Sequence, residues 1–491
     1  MRKYFLILIL VVSQAHSQQL VLPGDHPDPS VIKIGDTYWA SATTSNWFPA
    51  FPLMSSQDLI NWKQQGYVFT QKPLWADYYF WAPEISYDNG RVYIYYAAHK
   101  KDGNLCIGVA SADKPEGPYK DHGPLMCQPD GSIDAFPMRD SDGKLYLIWK
   151  EDGNSVGQPT PIWAMQMNEE RTALIGEKKE LFHNTADWEG NLVEGVSMIR
   201  HGDYFYALYA GAGCCGTGCT YATGVARSKN LLGPWEKSPK NPLITSSPAW
   251  ICPGHGTPIE KDGKYFFLYH GYDRKTNVFT GRQGLLGEFR FTNDEWIEFV
   301  PSKLVSQQNF SPVNDSFDHG LSDQWQWSIT QPPTFKIKKG SLRLSLPADH
   351  FSFLGQKIQS GDYSATTVVS AKSKSPAGIA AIGDEKNLVT LLYSKGRLEA
   401  VQLRDGKETS ISSSASHQKK KNISLRMVVH NGHEYYFFYS LDGKNFTALN
   451  QNALDGSFLP PWDRAVRAGI AGRRGKSKSA VFESFEINYE N

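Results

Sequence analysis

The sequence predicts an all-β protein, a five-bladed β-propeller followed by an antiparallel β-sandwich, and three features predict it. The first is a turn that recurs five times: Gly35-Asp36-Thr37-Tyr38, Gly90-Arg91-Val92-Tyr93, Gly143-Lys144-Leu145-Tyr146, Gly202-Asp203-Tyr204-Phe205 and Gly263-Lys264-Tyr265-Phe266. The glycines lie at intervals of 55, 53, 59 and 61 residues, each the length of one four-stranded sheet with its loops. Such a sheet cannot bury both faces alone, but five arranged radially pack on one another. Stacked sandwiches would not require one turn to recur at nearly constant spacing. The second feature is period-two alternation in Ser341-Leu342-Arg343-Leu344-Ser345-Leu346, Thr366-Thr367-Val368-Val369 and Ile423-Ser424-Leu425-Arg426-Met427-Val428, the mark of half-buried strands. The third is composition: 491 residues exceed the roughly 250–300 that one core serves, and 13% aromatic residues with 43 glycines and 28 prolines suit short strands and tight turns.

Taken in order, residues 1–17 have the layout of a signal peptide. Arg2 and Lys3 precede an apolar run ending at Val12, and Ala15-His16-Ser17 supplies small residues for cleavage before Gln18. The run is too short to span a bilayer and no cysteine follows it to accept a lipid, so the mature chain is expected to be exported, periplasmic or secreted, and monomeric. With 51 basic and 50 acidic residues there is no electrostatic footprint for nucleic acid. Six cysteines in an exported chain read as disulfides, although six allow about 15 pairings. Cys106 and Cys127 are plausible partners. Cys214, Cys215, Cys219 and Cys252 are read as disulfides too, with zinc the alternative, since their spacing matches no standard zinc motif.

The predicted propeller domain spans residues 18–310. It opens on His26-Pro27-Asp28-Pro29-Ser30, where two prolines hold Asp28 rigidly at the start of a strand. First strands of propeller blades line the central axis, so residues just before each repeated glycine should converge. Those residues are Asp28, Glu84, Asp134, Glu194 and His255, at seven, six, nine, eight and eight positions before their glycines. Their neighbours are apolar or glycine, as in Trp81-Ala82-Pro83-Glu84, and a carboxylate in such surroundings needs a partner or a task. Carboxylates without a Ser-His-Asp arrangement, a phosphate loop or a His-rich metal cluster suit general acid/base chemistry. Glycosidic cleavage uses two: one protonates the leaving oxygen, and the other activates water or attacks the sugar.

The ordered motifs His26-Pro27-Asp28-Pro29-Ser30, Trp81-Ala82-Pro83-Glu84-Ile85, Ile133-Asp134-Ala135-Phe136 and Glu194-Gly195 resemble those of glycoside hydrolase family 43. The resemblance covers residues 22–299. It implies an inverting five-bladed propeller enzyme with Asp28 as general base, Asp134 tuning and orienting the acid, and Glu194 as general acid. It places Arg282 in the sugar pocket; Glu84 and Phe136 are counted with it among the substrate-binding residues, as is Trp81, which precedes Glu84 and reads as a pocket wall with core packing between blades the alternative. His255, in Gly254-His255-Gly256, resembles the family's axial histidine, which implies a calcium or other ion in the channel beside it, although the chemistry requires no cofactor. Pro137-Met138-Arg139-Asp140 departs from the family pattern, where another acid is common. The Cys214-Cys215-Gly216-Thr217-Gly218-Cys219 stretch is unusual for the family and reads as a disulfide-pinned rim loop. Trp47, Phe48 and Phe51 are expected either at the pocket rim or in loop packing.

Residues 315–491 form the predicted sandwich, which resembles the C-terminal concanavalin-like domain of many family 43 exo-enzymes. Its short linker favours a lobe that closes one side of the pocket over an independent carbohydrate-binding module. Phe351-Ser352-Phe353-Leu354-Gly355-Gln356 resembles the approaching loop, and Lys419-Lys420-Lys421 reads as a solvated turn. The expected function is release of terminal α-L-arabinofuranose from plant cell-wall polysaccharide or oligosaccharide. The alternatives are a β-D-xylosidase, a galactan-active exo-glycosidase, and a catalytically silent sugar-binding propeller. Inversion would place the carboxyl groups of Asp28 and Glu194 roughly 6.5–9.5 Å apart.

Overall fold

A computed structural model describes residues 18–301, 310–415 and 422–489. The signal segment and Lys419-Lys420-Lys421 lie outside the described residues. Five antiparallel sheets, four of four strands and one of five, surround one axis. Their innermost strands are Ser30–Ile34, Ala76–Asp88, Ser132–Arg139, Val193–His201 and Trp250–Lys261. Each recurring glycine lies in the turn after an innermost strand, with φ of 61°, 79°, 85°, 56° and 75°. Nothing lies within 4 Å of a Cβ built at any of the five, so the left-handed backbone, not space, calls for glycine there. The third strands of blades 1, 2 and 4 are Ala50–Ser56, Leu105–Ala112 and Ala222–Ser228.

The core lies between blades rather than at one centre. Phe51, Phe69, Phe80 and Tyr96 join blades 1 and 2, and Tyr95, Leu147 and Trp149 join blades 2 and 3. Ile148, Phe205 and Tyr209 join 3 and 4, Tyr206, Phe267 and Tyr269 join 4 and 5, and Tyr38 with Leu268 closes 5 onto 1. Burial of these rings is the main force holding each sheet to its neighbours. The ring is fastened by Gln19–Leu22, which pairs with Arg282–Phe291 so that the two ends of the propeller share one blade.

The sandwich stacks a nine-stranded sheet on an eight-stranded one around a core that includes Leu344, Ile379, Leu425, Ile470 and Phe482. The eight-stranded sheet borrows its edge from the propeller: Trp47–Phe48 pairs with Trp325–Ser328. Trp47 also donates from Nε1 to the Ala465 carbonyl at 3.2 Å and meets Phe353 edge-on. Trp47, Phe48 and Phe51 are therefore buried packing residues, and none lines the cavity that holds Asp28, Asp134 and Glu194. Residues 352–356 are a strand inside the sandwich sheet, not an approaching loop. The segment that reaches the propeller mouth is Trp462-Asp463, its tryptophan exposed and its aspartate buried. Among the described residues no helix is long and apolar enough to cross a membrane.

Candidate active site

Each innermost strand carries, or is immediately preceded by, a left-handed residue at the level of the mouth: Asp28 (φ 50°), Ala82 (45°), Asp134 (57°), Gly195 (60°) and His255 (38°). In the four longer strands this residue accompanies a break in pairing register, the geometry of a β-bulge. The bulges aim side chains from different blades into one cavity of about 370 Å³, within the range of small-ligand sites. Asp28, Asp134, Glu194, His255, Arg282 and Trp81 all line it.

Asp28 is held on every side. Arg282 Nη1 lies 2.9 Å from Oδ1, Thr43 donates to Oδ2 at 2.7 Å, and the Asp28 backbone N–H donates to His270 Nδ1 at 3.0 Å. Burial pushes its carboxyl up, but the Arg282 guanidinium, with His270 and His255, holds it well below the usual carboxylate range. Burial brings His270 down to about 4, so it stays neutral and can accept that backbone bond.

Asp134 has the opposite environment. Its Oδ2 accepts the Gly195 N–H at 2.9 Å. Burial, reinforced by the carboxylates of Glu194 and Asp28 and opposed by His255 and Lys150, pushes it upward. Glu194 accepts from Lys150 Nζ at 2.6 Å and from the Tyr221 hydroxyl at 2.8 Å. Burial favours its neutral form, yet the Lys150 charge and these two bonds hold it below its ordinary value. Lys150 is itself buried and also reaches Asp152 at 2.8 Å. Gly195 is required twice over: by its φ, and because a Cβ there would lie 2.7 Å from His255 Cγ.

Two residues expected to bind substrate are absent from the cavity lining. Glu84 lies beyond the bulge at Ala82, bonded to Thr257 at 3.1 Å, where burial raises its carboxyl well above the usual range. Phe136 follows the bulge at Asp134, which reverses the alternation of faces and sends its ring between blades 3 and 4. His255 does line the cavity, with Nδ1 3.5 Å from Asp28 and 3.8 Å from Asp134. Among the described residues no three His, Cys, Asp or Glu side chains are grouped to hold a metal.

Other lining residues escaped sequence reasoning. Tyr79 stacks on Trp81 at 4.5 Å, and Trp462 meets Trp81 edge-on at 5.8 Å. Asp463 accepts from Trp81 Nε1 at 3.3 Å and from Ser45, while its carbonyl accepts from Arg282 Nη2 at 3.3 Å. Lys150, on the lining, and His270, behind it, carried a readable signal, each a polar residue directly after an apolar run of its strand, in Leu145–Glu151 and Lys264–Asp273. Trp462-Asp463 carried none. All six cysteines pair, Cys106–Cys127 as expected, Cys214–Cys215 and Cys219–Cys252, which removes the zinc alternative.

The sequence description of glycosyl hydrolases family 43 matches residues 17–297, and that of the beta xylosidase C-terminal concanavalin A-like domain matches residues 314–465. Xylosidase/arabinosidase 43B of Humicola insolens is 27% identical over 349 residues, covering 65% of this chain and 63% of that protein. The chain thus spans slightly less than two thirds of that relative. The non-reducing end alpha-L-arabinofuranosidase BoGH43B of Bacteroides ovatus is 26% identical over 454 residues, 79% of each chain. The crystal structure of the GH43 protein BlXynB from Bacillus licheniformis superposes with a TM-score of 0.82 at 25% identity, covering 96% of this chain and all of that one.

Proposed function

Because the chain belongs to glycosyl hydrolases family 43, we propose that it is an exo-acting, inverting glycosidase that removes terminal α-L-arabinofuranose from plant polysaccharide or oligosaccharide side chains. The observation that carries this reading is the opposed electrostatics of carboxylates on one cavity. Asp28 is kept ionised by Arg282, whereas Asp134 is pushed toward its neutral form beside Glu194. That contrast suits an ionised base, Asp28, and a neighbour, Asp134, that modulates the acid Glu194 rather than supplying the proton itself.

Asp28 takes a proton from a water that attacks the anomeric carbon, and Glu194 delivers a proton to the departing oxygen. Asp134 fixes the Glu194 backbone through Gly195, and repulsion between the two carboxylates favours keeping one of them protonated. Lys150 works against protonation of Glu194 in the free site. Substrate entry strips water from the cavity and favours neutral Glu194, with Asp152 present as a second partner for Lys150. No step requires a cofactor. Trp462 and Asp463 close one side of the cavity, which suits a chain end rather than a continuing polymer. Similarity to BoGH43B across 79% of both chains supports arabinofuranose. The C-terminal match to a beta xylosidase domain supports β-D-xylose as a second reading. Action outside the cytoplasm accords with three disulfides.

Initial rates on aryl α-L-arabinofuranoside and aryl β-D-xyloside, measured side by side with Glu194→Ala as control, decide the sugar. NMR of the first-formed anomer tests inversion. Asp28→Asn is expected to lower turnover by about 10²–10⁴-fold with the fold intact, as is Glu194→Gln on substrates with sugar leaving groups. Near-normal turnover in either folded variant removes that residue from the mechanism. Binding without turnover in the unaltered protein would favour a silent sugar-binding propeller.

A further inference from the structure

The disulfide between the adjacent residues Cys214 and Cys215 lines the cavity beside Glu194, half-buried, with part of its surface open to the space a sugar would fill. We propose that it is the apolar wall against which the leaving-group sugar packs, a specificity-determining element of the glycosidase reading above, on which it rests.

A structural role explains this bridge poorly. A disulfide constrains the unfolded chain in proportion to the logarithm of the loop it closes, and a bridge between neighbours closes almost none. The bond from Cys219 to Cys252 spans 33 residues and supplies that constraint to the same segment. It ties the far end of the insert to the innermost strand of blade 5, three residues before His255. The near end emerges from Tyr204–Gly211, whose Ala210 pairs with Glu194. Between these anchors the Gly216 N–H donates to the Tyr272 hydroxyl at 3.3 Å, and a Cβ built on Gly216 would lie 3.7 Å from the Trp462 carbonyl. The two sulfurs are thus held in place against both the propeller and the sandwich.

Position assigns the wall to the leaving group. Glu194 is the residue that protonates the departing oxygen, and the insert continues from the strand paired with it. A disulfide offers polarisable surface and no hydrogen-bond donor, which suits the apolar face of a sugar ring. Its pre-organisation means little freedom is lost on binding.

The test compares two substrates for the full-length enzyme: the preferred aryl glycoside, and a disaccharide of the same terminal sugar. In Cys214→Ala/Cys215→Ala the ratio of kcat/KM on the disaccharide to that on the aryl glycoside is expected to fall about tenfold, mainly through KM, the scale of losing some tens of Å² of apolar contact. Cys214→Ser/Cys215→Ser, closer in size but polar, should fall similarly. An unchanged ratio in a folded variant overturns the proposal, even if its Tm drops. Failure of both variants to fold shows the bridge to be structural and also overturns it. Absence of turnover on every glycoside by the unaltered enzyme would instead refute the glycosidase reading, and this inference with it.

Discussion

The propeller and sandwich are joined by a buried ion pair, and replacing Arg467 with methionine should expose how much the site depends on it. Arg467 is 1% exposed and Asp25 2%. Arg467 Nη2 lies 3.1 Å from Asp25 Oδ2, Nε donates to Gln326 at 3.0 Å, and the guanidinium lies 5.0 Å from the Trp47 ring centroid. Methionine keeps most of the apolar stem and deletes the charge. Asp25 would retain only the Ala465 N–H at 3.2 Å, on a carboxylate whose Oδ1 already has no hydrogen-bond partner among the described residues. Removing one partner of a buried pair costs about 3–5 kcal/mol. For a sandwich-sized unit, at about 2–4 °C per kcal/mol, Tm should fall by roughly 6–20 °C. Thermal unfolding followed by near-UV circular dichroism, with kcat/KM measured well below the transition, checks both stability and coupling to the site. Asp25→Asn/Arg467→Met should recover part of the loss, because the Asp25 charge is then no longer left buried without its partner. A cost below about 1 kcal/mol for the single variant, or a double variant no more stable than the single, would refute the reasoning.

Three further outcomes follow from the same geometry. Lys150→Met removes the cation that holds Glu194 down, so the basic limb of the kcat/KM profile should move to higher pH; an unmoved or lowered limb would contradict the assignment of Glu194 as acid. Glu84 has a raised carboxyl, so the folded state keeps a proton that the unfolded chain releases, and stability falls as pH climbs above the ordinary glutamate value. Glu84→Gln should therefore gain on the unaltered protein between pH 4 and pH 7 in denaturant midpoints, and a constant difference would refute the burial argument. Trp81→Ala, which removes the ring between Tyr79 and Trp462, should raise KM several-fold, and an unchanged KM would exclude Trp81 from sugar stacking.

Much of the fold was legible because propeller blades repeat. Five glycines each marked the first hairpin of a blade, and the acids before them were close to the axis as a matter of spacing. What spacing could not supply was parity. Period-two logic places Phe136 on the same face as Asp134, two residues earlier. The left-handed φ of Asp134 inserts a bulge between them, so the acid enters the cavity and the ring enters the blade interface. A bulge at Ala82 likewise lies between Trp81, which lines the cavity, and Glu84, which does not. A non-glycine residue with positive φ leaves no signature in a single sequence, because aspartate and alanine stand at these positions as they stand anywhere else. The repeat located the mouth of the site, and the bulges decided which side chains faced it.

The contribution of the sandwich was hidden for a different reason. Trp462 and Asp463 are over 400 residues from Asp28 in sequence, and nothing local distinguishes them from a surface turn. Yet Arg282 divides its guanidinium between the two domains, with Nη1 on the Asp28 carboxylate and Nη2 on the Asp463 carbonyl. The Asp463 carboxylate in turn accepts from Trp81 and Ser45 of the propeller. The group that keeps the proposed base ionised is thus oriented partly by a backbone carbonyl from the second domain. A module tethered only to collect carbohydrate would not need to share a hydrogen bond with that arginine. The sandwich is therefore part of the site itself, and the electrostatics of Asp28 depend on its docking.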